Sequence, residues 1–108
     1  MGLSKSEEFS AKENATAKYA KALGHPARVA IVKLLIKKQT CICGDLVNEL
    51  PLSQSTVSQH LKELKRIGII HGSIEPPRVC YCINEEVWEE AEQVFGGLFA
   101  IFLKTGCC

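Results

Sequence analysis

The chain has 108 residues, of which 46% are hydrophobic, and a formal net charge of +1 at neutral pH. This length predicts one domain over residues 1–108 and is too short for a large active-site cleft, and the small charge excludes a uniformly basic surface. The N-terminus lacks the apolar core of a signal peptide, and the apolar stretch 94–103 is far shorter than the roughly 20 residues that span a bilayer. We therefore expect a cytoplasmic protein with no membrane partner.

The first hydrophobic repeats predict two helices in succession. Four residues of the first helix fall near one face: Phe9, Thr16, Ala20 and Leu23. Gly24 and His25 interrupt this repeat, and Pro26 suits the first turn of a second helix, where its missing N–H costs nothing. The buried stripe of the second helix is expected to contain Val29, Val32, Leu35 and Ile36.

Residues 45–68 carry a helix-turn-helix pattern. A short amphipathic helix is predicted over 45–50, and Pro51 ends it. A longer helix follows, with Ser53 suited to its N-cap and Gly68 to its C-terminal stop. Its buried face is expected to carry Val57, Leu61, Leu64 and Ile67. A short helix, a tight turn and a longer helix with a polar face together predict a DNA-binding unit.

The polar face of the longer helix has side chains suited to the major groove. Small hydroxyls permit close approach, glutamine can bond an adenine edge, and lysine can reach phosphate. Such a face is also typical of an ordinary solvated helix, but its position after the turn favours DNA. His60, next to the buried Leu61, is expected to pack or to touch the DNA backbone. The predicted DNA-binding residues of this helix are Gln54, Ser55, Thr56, Ser58, Gln59, His60, Lys62 and Lys65.

Two short β-rich runs follow Gly68 and predict a hairpin. The first begins at 69–70, the second covers 79–83, and a loop containing glycine and proline joins them. A hairpin directly after a recognition helix is a wing. Arg78, near the predicted tip, is expected to enter a minor groove or to contact the DNA backbone.

The last segment predicts a dimerisation helix. Its apolar residues cover most of a helix circumference, more than a monomer of this size buries easily: Val87, Trp88, Ala91, Val94, Phe95, Leu98, Phe99, Ile101, Phe102 and Leu103. Gly96 and Gly97 each lower helix stability by roughly 1 kcal/mol in a helix interior. This loss makes sense if a partner helix approaches closely there. The alternative is that the two glycines kink the helix. We predict a homodimer that binds an inverted-repeat operator in double-stranded DNA.

This order of elements, with several of its motifs, resembles the ArsR/SmtB family of winged-helix, metal-responsive repressors. The specific segments are LGHPAR at 23–28, GDL at 44–46, SQSTVSQHLKEL at 53–64, and 68–70 followed by 78–84. The resemblance covers nearly the whole chain. It implies a mainly α fold with a small β-hairpin wing, in the order α-α-α-α-β-β-α, with dimerisation helices at both ends. It also implies a homodimeric repressor, not an enzyme, that leaves its operator when a ligand binds.

The six cysteines form three pairs: Cys41 with Cys43, Cys80 with Cys82, and Cys107 with Cys108. In a reducing compartment such thiols indicate metal binding or redox chemistry before structural disulfides. The zinc, nickel or cobalt site that family members carry on the terminal helix needs histidine, and 84–108 contains none. Thiolate ligands therefore predict a soft inducer and no permanent cofactor. As(III) or Sb(III) is the first choice of inducer, and a four-thiolate cadmium, lead or zinc site is the alternative.

Arsenic-responsive members of the family carry Cys-Val-Cys-Asp-Leu before the recognition helix, and CICGDL at 41–46 is similar apart from the additional Gly44. The resemblance therefore implies that Cys41 and Cys43 bind the inducer, with Cys107 and Cys108 of the tail as further ligands unless that tail is unstructured. Cys80 and Cys82 share one face of a strand and are expected mainly to be small core residues, with a lesser role as ligands.

Three other functions compete with this one. Some relatives sense persulfides or oxidants through two cysteines, and the resemblance implies that such a repressor would use Cys41 or Cys43 together with Cys107. An enzyme is disfavoured because no Cys-x-x-Cys motif occurs and nothing places a base beside a cysteine, although His25, His60 and His71 are available. A thiol-rich metal buffer is disfavoured because it would not need the polar helix face and the wing.

Overall fold

The computed structural model describes residues 7–38, 41–43, 50–74 and 79–105, with side chains up to residue 102. Along the chain the elements are α1 (Ala11–Ala22), α2 (Pro26–Lys38), β1 (Ile42–Cys43), α3 (Gln54–Ile67), β2 (Ile70–Ser73), β3 (Cys80–Ile83) and α4 (Glu85–Thr105). This mainly helical order with a small hairpin confirms the predicted winged helix-turn-helix class. The short helix predicted over 45–50 lies outside the described residues except for Leu50.

The first two helices begin where local chemistry favours a start. Ser10 and Glu13 form a capping box on α1, in which the Ser10 hydroxyl accepts from the Glu13 amide at 3.0 Å. Pro26 opens α2 as predicted. The buried stripe of α2 differs from the prediction, because Ala27, Ile31, Val32 and Leu35 are buried. Val29 and Ile36 are exposed, since at 100° per residue they project beside the buried arc.

Both predicted ends of α3 are confirmed. The Ser53 hydroxyl accepts a hydrogen bond from the Thr56 amide at 3.3 Å. At the other end Gly68 adopts a left-handed conformation with φ 99°, and its N–H donates to the carbonyl of Leu64 at 3.1 Å. The buried side of α3 contains Val57, His60, Leu61 and Leu64. The helix is thus fixed at both ends and anchored along one face.

The sheet has three antiparallel strands in the order β1-β3-β2. Strands β2 and β3 form the predicted wing hairpin, with Ile70 opposite Ile83 and Ser73 opposite Cys80. Strand β1 was not predicted, because a two-residue strand leaves no periodic signal in the sequence. It adds to the far edge of β3 and pairs Ile42 with Tyr81.

The core is formed by side chains of the four helices and the sheet. Its largest fully buried side chains are Tyr19, Tyr81, Ile31, Leu35, Leu64, Ile69 and Ile70. The first half of α4 packs on this core through Ala91 and Val94, and α4 also contacts α1. The second half leaves its large apolar side chains exposed: Leu98, Phe99, Ile101 and Phe102. No helix in the described ranges has the length and apolar content needed to cross a membrane.

Candidate DNA-binding helix and thiol face

The polar side of α3 is open to solvent. Gln54, Ser55, Gln59, Lys62 and Lys65 are exposed, and Ser58 is half-buried among them. At 100° per residue these six positions fall within an arc of roughly 140°. The arc contains amides, hydroxyls and ammonium groups, and no carboxylate. This surface carries residues predicted to contact DNA, and it lies opposite the buried face.

Two further residues of α3 lie beside or within this arc. Thr56 is half-buried and its hydroxyl lies 2.9 Å from that of Ser53, so it belongs to the N-cap of the helix. Arg66 falls inside the arc but was not predicted as a contact. Its Nε donates to Oε1 of Glu63 at 3.1 Å, a hydrogen bond that lowers the pKa of the Glu63 carboxyl. The guanidinium of Arg66 is therefore already paired.

Two roles are expected for His60, packing or contact with the DNA backbone, and its surroundings support packing. His60 is only 8% exposed, and its Nδ1 accepts a hydrogen bond from Nε of Arg28 at 3.1 Å. An accepting Nδ1 requires the unprotonated nitrogen. Burial, followed by repulsion from His25 and then from Arg28, lowers the pKa of His60. The histidine is thus a neutral packing residue between α2 and α3.

The cysteines of β1 and β3 lie together on one side of the sheet. Cys41 is disulfide-bonded to Cys82 and Cys43 to Cys80, with Cα–Cα distances of 4.3 and 4.0 Å. Alternation along a strand puts side chains i and i+2 on the same face, so all four sulfurs share it. We call this group, Cys41, Cys43, Cys80 and Cys82, the thiol face. The intervening Ile42 and Tyr81 point to the opposite side and are buried.

This arrangement differs from two expectations. Cys80 and Cys82 are half-buried and bonded to the first pair, so they are not isolated core residues. The thiols are also joined as disulfides, where reduced thiols were expected. The reason is the register, because close Cα–Cα approach marks the non-hydrogen-bonded positions of an antiparallel pair, where opposing side chains come nearest. The predicted strand places Cys80 and Cys82 on one face, but the sequence does not reveal that Cys41 and Cys43 meet them there.

Strand β2 extends the same face on its other side. His71 is opposite Cys82 and Ser73 is opposite Cys80. The His71 side chain is exposed, so an imidazole stands beside the sulfur pairs. With the cysteines in disulfide form, the described ranges contain no group of three or more His, Cys, Asp or Glu side chains that could hold a metal ion. Arg78, Cys107 and Cys108, also predicted as site residues, lie outside those ranges.

Comparisons with known proteins agree with this fold and its helix-turn-helix. The profile of the bacterial regulatory proteins of the arsR family matches residues 25–71. A helix-turn-helix-type transcriptional regulator of Methanocaldococcus jannaschii is 40% identical over 80 residues, covering 72% of this chain and 89% of that protein. The transcriptional regulator YgaV of Escherichia coli is 30% identical, covering 73% and 80% of the two chains.

The transcriptional repressor SmtB of Mycobacterium tuberculosis is 40% identical over 68 residues, which are 63% of this chain and 50% of the repressor. The match thus spans about half the length of that relative. Among solved structures, an ArsR-like regulator from Rhodococcus superposes with a TM-score of 0.68 at 16% identity, covering 89% and 90% of the two chains. That likeness supports the fold. The relatives are transcriptional regulators, which confirms the prediction that the protein is not an enzyme. The chain belongs to the arsR family of helix-turn-helix regulatory proteins.

Proposed function

We propose that residues 1–108 act as one domain of a homodimeric repressor that binds operator DNA and releases it when thiolates capture As(III) or Sb(III). The observation that carries this proposal is the position of Cys41 and Cys43. Both side chains are exposed, and β1 lies directly before the helix-turn-helix segment. A ligand bound there acts on the part of the chain that supports α3.

The DNA-binding part of the proposal rests on the exposed arc of α3. Gln59 offers an amide for base edges, and Lys62 and Lys65 offer charge for phosphates. The arc points away from the core while His60, on the buried side, is hydrogen-bonded to Arg28 of α2. A rigidly held helix presents these side chains in one fixed register, which sequence-specific contact requires.

The dimer is supported by the exposed second half of α4. Phe99 and Phe102 are each 67% exposed on a helix whose first half is packed. A Cβ added at Gly96 or Gly97 would meet nothing within 4 Å, so both backbones are open to a partner helix. A two-fold dimer places its recognition helices about 34 Å apart, which matches successive major grooves.

The inducer chemistry follows from the ligand type. Arsenite carries three hydroxyls on As(III), and three cysteine thiols displace them to form three As–S bonds and three molecules of water. Soft thiolates favour this ion over the hard cations that carboxylates bind. A coupling free energy of about 1 to 3 kcal/mol between ligand and DNA sites changes operator affinity roughly 5- to 150-fold, which is enough for derepression.

A DNA-release assay tests the proposal. Duplexes selected from random sequence by the reduced protein are labelled, and fluorescence anisotropy follows their release on titration with arsenite or antimonite. We expect release by the wild-type chain, none by Cys41→Ser/Cys43→Ser, and unchanged DNA binding by that variant without arsenite. A double variant that still releases DNA at the same arsenite concentration contradicts the role of this pair.

A second candidate signal is oxidation, which the cross-strand cysteine pairs favour. Two thiols of one pair give up two electrons and two protons to hydrogen peroxide, forming one disulfide and two molecules of water. Peptide mass spectrometry after peroxide treatment identifies the linked cysteines. DNA release by peroxide, with no release by arsenite, would make this signal the physiological one.

A further inference from the structure

We propose that the reduced thiol face forms one metal site in which Cys41 and Cys43 of β1 and Cys80 and Cys82 of β3 bind a single thiophilic ion. The wing strand then supplies half of the ligands. This inference rests on the proposed function in taking cysteine thiolates as the sensing groups. It adds a ligand pair that comes from a different segment of the chain.

The geometry of the two strands supports four converging sulfurs. Across the strands the paired Cα atoms are 4.3 and 4.0 Å apart. Along each strand residues i and i+2 are about 6.6 Å apart, so the four Cα atoms outline a small rectangle. Sulfurs in a tetrahedral thiolate site with bonds of about 2.3 Å lie roughly 3.8 Å from one another. The two cysteines of each strand are the farther apart. Rotation of their side chains toward the centre of the rectangle brings all four sulfurs to that separation.

Exposure on this face suits a binding site. Cys41 and Cys43 are exposed, which gives an ion access, while Cys80 and Cys82 are half-buried and lose part of their water. Ile42 and Tyr81 are buried on the other side and hold both strands against the core. The sulfurs therefore stand on a fixed platform, which lowers the cost of ordering them around an ion.

The ligand class follows from the donor set. A cadmium ion displaces four thiol protons and is bound by four thiolates, whereas As(III) takes three sulfurs and leaves the fourth thiol free. The disulfides and the ion exclude each other, because each disulfide removes two ligands. The site is thus available only when the cysteines are reduced.

Occupancy of the site reaches the DNA-binding parts through the sheet. Strand β3 lies between β1 and β2, and β2 follows α3 after Gly68 and Ile69. An ion held by β1 and β3 therefore joins the segment before the recognition helix to the wing after it. Neither cysteine pair alone makes this connection.

Cadmium titration of the reduced full-length chain tests the site. Thiolate-to-cadmium charge-transfer absorbance should saturate at one ion per chain. We expect Cys80→Ser and Cys82→Ser each to lower this absorbance by about a quarter, because each removes one of four ligands. Each should also weaken cadmium binding at least about tenfold. The matched control Cys107→Ser/Cys108→Ser should bind as the wild type does. Wild-type binding by the wing variants, or loss of binding in the tail variant, would overturn the proposal.

Two further measurements keep the result decisive. Cadmium-113 NMR of the wild-type chain counts sulfur ligands with no substitution, and a resonance for four sulfurs is expected, whereas two would refute the site. Operator binding without ions checks that each variant is folded. If four of these sulfurs bind cadmium, or three bind arsenite, and the protein still retains DNA, the proposed function fails while the site stands. If the wild-type chain releases DNA with arsenite but Cys80→Ser/Cys82→Ser binds cadmium as the wild type does, the site fails while the function stands.

Discussion

The guanidinium of Arg28 joins α2 to the recognition helix by donating from Nε to Nδ1 of His60 at 3.1 Å. The same side chain donates from Nη1 to the carbonyl of Ala22 at 3.2 Å and to that of Lys21 at 3.4 Å. Those carbonyls close the C-terminal end of α1, where cations are favourable. One arginine therefore fixes the relative position of three helices.

Replacement of Arg28 by alanine should lower the free energy of unfolding by about 2 to 3 kcal/mol, because it leaves the buried His60 nitrogen and the Ala22 carbonyl without their donor. Urea unfolding of the reduced protein at fixed concentration measures the change. Arg66→Ala is the matched control, since it removes an exposed pair with Glu63 and should change stability little. Equal losses in the two variants would contradict the role of Arg28.

Stability should also depend on pH through His60. Burial, then repulsion by His25 and Arg28, holds the pKa of His60 below its ordinary value of 6.5. As pH falls, His60 is therefore protonated in the unfolded chain before it is protonated in the folded one. The stabilisation that neutral His60 contributes is present above pH 6.5, and it declines as pH falls from there toward the lower pKa of the folded state.

Denaturant midpoints measured from pH 7.5 down to pH 5 test this dependence. His60→Gln should flatten the decline, because glutamine does not titrate and its amide oxygen accepts from Arg28. His71→Gln, at the exposed histidine of β2, is the control that keeps the buried imidazole and its neighbours. A decline of the same size in His60→Gln would show that other groups cause it.

Local signals predicted the recognition helix, because its limits depend on neighbouring residues. Ser53 caps it, Gly68 ends it in a left-handed conformation, and Val57, Leu61 and Leu64 repeat at helical spacing. The same spacing places His60 beside Val57 and Leu64, which agrees with the expectation that this side chain packs.

The thiol face could not be predicted in this way, because it depends on strand register. Its disulfides join residues 41 and 37 positions apart in sequence. Nothing in either Cys-x-Cys motif specifies that β1 pairs with β3 instead of with β2. A shift of one residue would turn one cysteine pair to the opposite face of the sheet. The buried Ile42 and Tyr81 select the observed register, and only tertiary packing brings them together.

Gly72 should be intolerant of any side chain. Its φ is 121°, and an added Cβ would be 2.8 Å from Cα of Tyr81 and closer still to the Cys80 carbonyl. Gly72→Ala should therefore destabilise the chain by roughly 1 to 3 kcal/mol and loosen the wing. Thermal unfolding by circular dichroism measures the loss, with His71→Ala on the same strand as the exposed control. A melting temperature equal to that of the control would refute the backbone argument.

Substitutions on α3 should separate base contacts from phosphate contacts. Gln59→Ala should cost about 1 to 3 kcal/mol on the preferred duplex and relax selectivity at one position. Lys62→Ala should weaken binding to all duplexes similarly and reduce the slope of log affinity against log salt by about 1. Anisotropy titrations at several salt concentrations, on selected and scrambled DNA, measure both effects. The assignment of Gln59 to a base and Lys62 to a phosphate fails if both variants lose affinity equally on every duplex and the slope of log affinity against log salt is unchanged.

The exposed half of α4 should mediate dimerisation, and Phe99 tests it because its side chain is 67% exposed. Burying a phenylalanine is worth about 1.5 to 3 kcal/mol, and a two-fold dimer buries two copies. Phe99→Glu should therefore weaken the dimer at least about a hundredfold, since 1.4 kcal/mol is a factor of ten. Sedimentation velocity should show the variant as a monomer at concentrations where the wild type is dimeric. Ile36→Glu, at an apolar side chain of α2 that is 46% exposed, should leave the dimer intact. Dissociation by both substitutions, or by neither, would place the dimer interface elsewhere.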